Sequence, residues 1–298
     1  MSDLGSYKVR GIPIVPGGME FTTGNVFFVD SGSGNDNADD GDTPKRPLAT
    51  LDYAIGRCTA TNGDVIYLMP GHAETTTAIA ADVAGISIIG IGRGRARPTI
   101  TATTAASDLI DVTAANILIK NIRLVGAASG VTSLIALAAT DFMCEDCSLE
   151  HGAAPTDAVV VTNNSSDRFT FKNCLFLGTA AGPDLGISFA AVSGDCQDYS
   201  VIDCTFNYMG SSGLDEAGIQ SNKVDTGVLI SGCKFLGMNL TAIDFNSAAT
   251  GLVEHCSVLS LNATVAELMD MGNLGGVKND VTYQQVSGVQ IPVTTAGA

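Results

Sequence analysis

Tryptophan is absent from this 298-residue chain, and charged side chains make up only 15% of it. Cations are the scarcer sign. There are 15 Lys and Arg against 31 Asp and Glu, a formal net charge of −16. That balance argues against nucleic acid as a partner, because phosphate binding needs clustered Lys and Arg. It also disfavours anionic lipid and long polyuronate chains unless a local basic groove exists. Its simplest consequence is solubility at high copy number. No stretch approaches 18 apolar residues, so no membrane-spanning helix is expected. The opening MSDLGSYKVRGIPIVPGG lacks the apolar core of a secretory signal, which predicts folding in a cytoplasm. Histidine is rare: His72, His151 and His255 are scattered, and each reads as a turn or surface residue rather than a general base.

What the chain has instead is glycine (34 residues), small and β-prone side chains, and a repeat. FTFKNCLFLG, from 169, returns in outline as FMCEDCSLE from 142, YSVIDCTFN from 199, VLISGCKFLG from 228 and GLVEHCSVLS from 251. The unit recurs every ~23–31 residues, as expected of a solenoid whose loops vary while its strands stay in register. Alternation places Ile119, Cys144, Phe171, Val201 and Ile230 on one strand face, and Tyr283 falls in the same column of the last unit. The next column but one reads Gly90, Asn121, Asp146, Asn173, Asp203, Gly232, His255 and Gln285. Most of these are residues that tolerate a left-handed backbone, so the chain should kink there. Directly after the kink come Cys147, Cys174, Cys204, Cys233 and Cys256. Two residues further on come Phe176, Phe206 and Phe235, with Arg93 at that position of the first unit. A tight inner corner has room for a small, polarizable side chain. Stacked coils should therefore give a cysteine ladder beside a phenylalanine stack.

This reading treats the eight cysteines as reduced. Cys144 and Cys147 form a C-x-x-C, but no second ligand pair accompanies it, so neither zinc nor redox chemistry is expected. An open solenoid end needs a cap. TPKRPLATLDYAIGRCTA (43–60) supplies Leu51, Ala54, Ile55 and Cys58 at helical spacing, which predicts a short amphipathic capping helix. The loop 30–42 is rich in aspartate. Asp36, Asp39 and Asp40 are candidate Ca²⁺ ligands, although the spacing does not match a calcium-binding loop. The expected organisation is an N-terminal extension or attachment arm (1–24), a leading strand, acidic loop and capping helix (25–62), the solenoid (63–290) and a tail (291–298).

The ladders, together with the short strands LIDV, LIAL, AVVV, ISFAAV and AIDF that precede them, resemble the right-handed parallel β-helix of the pectate-lyase-like superfamily. The resemblance spans roughly 65–290. NVFFVD, a Gly/Asp/Asn loop, a P-x-x-T helix and GDVIY also resemble the opening segment of extracellular and phage β-helix proteins. The fold class implied is all-β, a single-stranded right-handed parallel β-helix with a short N-terminal capping helix. Enzymes of that superfamily often cut acidic polysaccharides with a basic residue beside carboxylates, or with paired aspartates. The outward strand positions here offer only Lys120, Glu145 and Lys172, which read first as an exposed ion-pair ladder and second as a catalytic set. The resemblance implies a non-enzymatic phage virion protein, a head-decorating or accessory component. It would be a homotrimer without cofactor, bound to other virion proteins such as the capsid shell. Two alternatives remain: a tail spike or polysaccharide lyase (or other depolymerase) acting on envelope glycan, and a non-catalytic glycan-binding adhesin.

Overall fold

A computed structural model describes residues 22–103, 108–127, 130–151, 157–162, 166–178, 185–189, 194–208, 217–238, 241–245, 247 and 249–260, with short strands at 8–9, 12–13, 269–270 and 282–285. Most of the N-terminal arm and the whole 291–298 tail lie outside the described residues. Among the described residues, three parallel sheets of nine, nine and eight strands stack coil upon coil. The first sheet runs from Val26–Val29 through Val65–Leu68, Ser87–Gly90 and onward to Gly251–Glu254. The second runs from Ala73–Thr76 to Thr282–Gln285, and the third from Ile79–Ala81 to Met269–Asp270. Each coil visits the sheets in that order, which makes a right-handed parallel β-helix.

The corner between first and second sheets (corner I–II) forms as the kink column predicts. Asn121, Asp146, Asn173, Asp203, Gly232 and His255 have φ of 55°, 57°, 52°, 53°, 68° and 54°. The backbone N–H of each of the first five bonds the next coil, as in Asp146 N to Lys172 O (3.0 Å) and Asp203 N to Ser231 O (2.8 Å). The five ladder thiols follow, all buried. Each sulfur lies between two carbonyl oxygens. Cys204 Sγ is 3.5 Å from Phe171 O and 3.4 Å from Ile202 O, and Cys233 Sγ is 3.4 Å from Val201 O and 3.5 Å from Ser231 O. A weak S–H donor suits a site too cramped for a larger side chain and lined by acceptors. Cys144 Sγ is 3.7 Å from Cys174 Sγ. All eight cysteines are free. Burial pushes the Cys58 and Cys196 thiols up to about 12, away from the reactive thiolate.

Beside the thiols, Phe206 stacks on Phe176 (centroids 4.3 Å apart) and on Phe235 (4.8 Å). The third sheet makes room for these rings. A Cβ on Gly186 would lie 2.5 Å from the Phe206 ring, and one on Gly218 would lie 2.4 Å from Phe235.

The first and last units depart from the sequence register. Ile100, not Arg93, pairs with Leu124 in the phenylalanine column, because Gly92–Arg97 form an inserted turn. Gly90 is not left-handed. Its missing side chain is needed because a Cβ would meet Asn121 O at 2.2 Å. Tyr283 pairs with Val258 in the second sheet instead of extending the first, so Gln285 is a strand residue.

The helix spans Leu51–Gly56, shorter than its apolar spacing suggests, with Cys58 beyond its end. Thr50 caps it by accepting from Tyr53 N, and Leu51, Ala54 and Ile55 enter the core. His72 is buried here, not at the surface. Its Nδ1 accepts from Ser31 N (3.0 Å), which leaves Nε2 to donate to Glu74 Oε2 at 3.2 Å. Glu74 in turn accepts from Leu51 N (3.0 Å), so this pair ties the acidic loop and the helix to the first coil.

Candidate functional site

Register places Lys120, Glu145 and Lys172 in one outward line on adjacent strands of the first sheet. Lys120 Nζ is 2.7 Å from Glu145 Oε2, and Lys172 Nζ is 3.3 Å from Oε1. The Lys120 hydrogen bond, reinforced by Lys172, holds the Glu145 carboxyl below the ordinary range. Both amines are engaged by the same carboxylate, so the three side chains form one ion-pair ladder.

Around this line the same corner gathers further cations. Arg123 grips Glu150 with two hydrogen bonds, Nε to Oε1 at 2.7 Å and Nη2 to Oε2 at 2.5 Å. Arg97 Nε donates to Asn121 Oδ1 at 3.1 Å. Arg93 and Arg95 stand exposed on the inserted turn. In these ion pairs the carboxylate is the more buried partner: Glu145 is 17% exposed against 29% for Lys120 and 45% for Lys172. Over these coils, before the exposed Asp203, the corner therefore presents positive charge to solvent.

The acidic loop spends its carboxylates internally. Asp36 accepts from Ala49 N (2.8 Å), Thr50 N (3.2 Å) and Thr50 Oγ1 (2.7 Å). Asp40 takes Asn37 Nδ2 and Arg46 Nε, both at 2.7 Å, while Asp39 is exposed. Among the described residues, no three His, Cys, Asp or Glu side chains gather to hold a metal ion. His255 takes its left-handed corner position, and the backbone of His151 ends a second-sheet strand instead of lying in a loop.

A second group escaped the sequence reading. Leu134 and Ile135, like Ala158 and Val159, are consecutive core residues, so the chain bends as it enters the third sheet. The bend puts Ser133 and its register partner Asp157 at the sheet's leading corner. Burial pushes the Asp157 carboxyl up to about 6, partly opposed by a hydrogen bond from Ser188. One coil earlier, Ser133 Oγ donates to Asp108 Oδ1 at 2.7 Å. Burial and the Asp108 charge also raise Asp111. No repeat column flagged these residues, because aspartate before an apolar run also marks ordinary turns.

No protein-family model and no curated relative matches the chain. Solved structures do match in fold. Pectate lyase Pel9A aligns over 92% of this chain and 78% of its own, at TM-score 0.54 and 13% identity. Pectin methylesterase from Aspergillus niger aligns over 88% and 84%, at TM-score 0.51 and 13% identity. A chain from Geobacillus virus E2, ORF18, covers 87% and 61% at TM-score 0.40 and 13% identity, a likeness too distant to bear on function. A lyase and an esterase at equal similarity mean that the fold does not select a chemistry. The likeness fixes the architecture: this chain is a right-handed parallel β-helix, built like those pectin-processing enzymes.

Proposed function

We propose that the chain is a non-enzymatic structural protein of a virion, a head-decorating or accessory component built on its β-helix. One observation carries the non-enzymatic part: Glu145 engages both lysines of the sequence-predicted site, at 2.7 and 3.3 Å, so the three form an ion-pair ladder along the sheet. The virion part draws on a rod of stacked coils with buried reduced thiols and a net charge of −16, properties suited to a soluble, densely arrayed component. Imaging particles made with and without the protein tests it. Additional density on the shell or tail is expected, and particles that never carry the protein overturn the proposal.

A depolymerase acting on an envelope glycan is the second reading, and Asp157 favours it. A carboxyl raised to about 6 can serve as a general acid near neutral pH. Assays over a glycan panel, reading unsaturated uronate absorbance and reducing ends, separate the two. Turnover that disappears in Asp157→Asn, or in Lys172→Ala, establishes the enzyme; no turnover is the expected result.

A further inference from the structure

Each ladder sulfur rests against the carbonyl of one inward residue of the coil before. That residue is Ile119 under Cys147, Phe171 under Cys204, Val201 under Cys233 and Ile230 under Cys256. All four carry hydrocarbon side chains. Under Cys174 it is Cys144, whose carbonyl oxygen lies 3.4 Å from Cys174 Sγ. Here the supporting residue brings a second thiol, and the two sulfurs meet at 3.7 Å. Cys144 stands in the strand Met143–Glu145 with Phe171 as its register partner, so it reaches Cys174 diagonally, from a different column.

That offset decides which sulfurs can bond. Ladder thiols stack like over like, so their Cβ atoms stand near the strand spacing of about 4.8 Å, wider than the ~3.5–4.5 Å of a disulfide. Cys144 and Cys174 converge from neighbouring columns instead. Closing their sulfurs from 3.7 Å to the ~2.05 Å of a disulfide is within reach of side-chain rotation. Cys147 completes a C-x-x-C with Cys144, but its sulfur is turned to the coil before. It lies between Ile119 O (3.7 Å) and Glu145 O (3.3 Å) and accepts from Ile122 N at 3.5 Å. The motif has no second pair in sequence, and the solenoid supplies a partner for Cys144 from 30 residues away.

We infer that Cys144 and Cys174 are an oxidation site, where a small peroxide joins them in a disulfide that staples two consecutive coils. Cys174, at the corner, is the nearer of the two to solvent and reacts first. Its thiolate attacks the O–O bond of hydrogen peroxide and becomes a sulfenic acid, and the departing hydroxide takes up the thiol proton as water. The Cys144 sulfur then displaces the remaining oxygen, which leaves with the Cys144 proton as a second water. Two thiols give up two electrons, and one peroxide becomes two waters. The link stays open in a reducing compartment and closes in an oxidising one. It goes beyond the structural role proposed above and does not depend on it.

The full chain, purified in dithiothreitol and then held in hydrogen peroxide, tests the site. The intact mass should fall by two hydrogens, and a non-reducing peptide map should join Cys144 to Cys174. The melting temperature should rise by roughly 5–10 °C, and dithiothreitol should reverse all three changes. Cys144→Val gives that position the residue found at Val201 and Val253 of the same column. It should melt close to the reduced wild type and lose both the link and the rise. Cys256→Ala, at the far end of the ladder, should keep both. A native chain that retains every thiol in peroxide overturns the inference. So does a link from Cys144 to Cys147 or between two ladder thiols, and so does a Cys144→Val chain that peroxide still stabilises. Imaging of particles decides the virion role separately.

Discussion

The two corners that bound the first sheet make the same backbone turn and fill it differently. At corner I–II the left-handed residue precedes a cysteine, and the sulfur wedges between carbonyls of its own coil and the coil below. At the corner between third and first sheets (corner III–I) left-handed residues recur too: Asn116, Asp141, Arg168 and Asp198, at 59°, 57°, 54° and 54°. Each precedes a large side chain, Ile117, Phe142, Phe169 and Tyr199, which reaches far into the core. Phe169 and Tyr199 stack face to face with centroids 4.8 Å apart, and Phe189 leans on both. Left-handed geometry sets the direction of the chain. The space inside the bend decides which residue comes next, and here one bend is narrow and the other wide.

Cutting the filler at each corner breaks the comparison most sharply. Phe169→Ala opens a cavity at the wide corner and should cost about 3–5 kcal/mol. Cys204→Ala removes one sulfur from a site with little to collapse into, and should cost about 1 kcal/mol from lost burial. Denaturant unfolding of the two variants measures the difference. Equal losses would mean that the corners share one interior size after all.

The corners also differ in where they keep carboxylates. Corner III–I buries Asp225, whose Oδ2 accepts from Ser221 Oγ (2.7 Å) and Tyr199 Oη (3.0 Å) and whose Oδ1 accepts from Cys196 N (3.0 Å). Burial outweighs these donors and raises its carboxyl above the ordinary range. The folded state then holds the proton more tightly than the unfolded chain, so stability falls as pH rises through the raised value. Asp64, at the N-terminal end, has the opposite sign. Burial would lift it, but donors from Thr59 N (2.7 Å), Asn25 N (2.6 Å) and Asn62 Nδ2 (2.6 Å) hold it below the ordinary range. Its contribution is present above the unfolded value and is lost as pH falls through the lowered one. Denaturant midpoints over a pH series should therefore show Asp225→Asn gaining on the wild type as pH rises and Asp64→Asn losing least in acid. Parallel curves for the wild type and both variants would contradict both assignments.

Corner I–II was legible in the sequence because Cys is chemically uncommon and its neighbours are Gly, Asn and Asp. Five thiols at one register position cannot be mistaken for chance alternation. Corner III–I was not legible, because an Arg or Asp before a Phe is an ordinary pair and only the backbone reveals Arg168 as left-handed. The same contrast governs the candidate sites. Lys120, Glu145 and Lys172 stand one per strand in the repeat, so register alone brings them together. Asp157 and Ser188 meet across a bend whose position depends on two consecutive core residues, which no periodic pattern records. At the ends of the solenoid the pattern misled, since the inserted turn at Gly92–Arg97 shifted Arg93 out of the core column and the last coil changed sheet at Tyr283.

The smallest expected effect belongs to the residues that first suggested catalysis. Lys172 is 45% exposed and shares Glu145 with Lys120, so its loss leaves that carboxylate paired at 2.7 Å. Lys172→Met should cost under about 1 kcal/mol, because an exposed ion pair gains little over its hydrated partners and salt screens what remains. Glu145→Gln should cost more than Lys172→Met, since it leaves two cations facing each other across the same line. That ordering, read from thermal unfolding at low salt and compressed at high salt, is what an electrostatic ladder requires. A large loss in Lys172→Met, insensitive to salt, would instead show that its aliphatic stem packs on the strand face, and that the corner's charge matters less than the surface it covers.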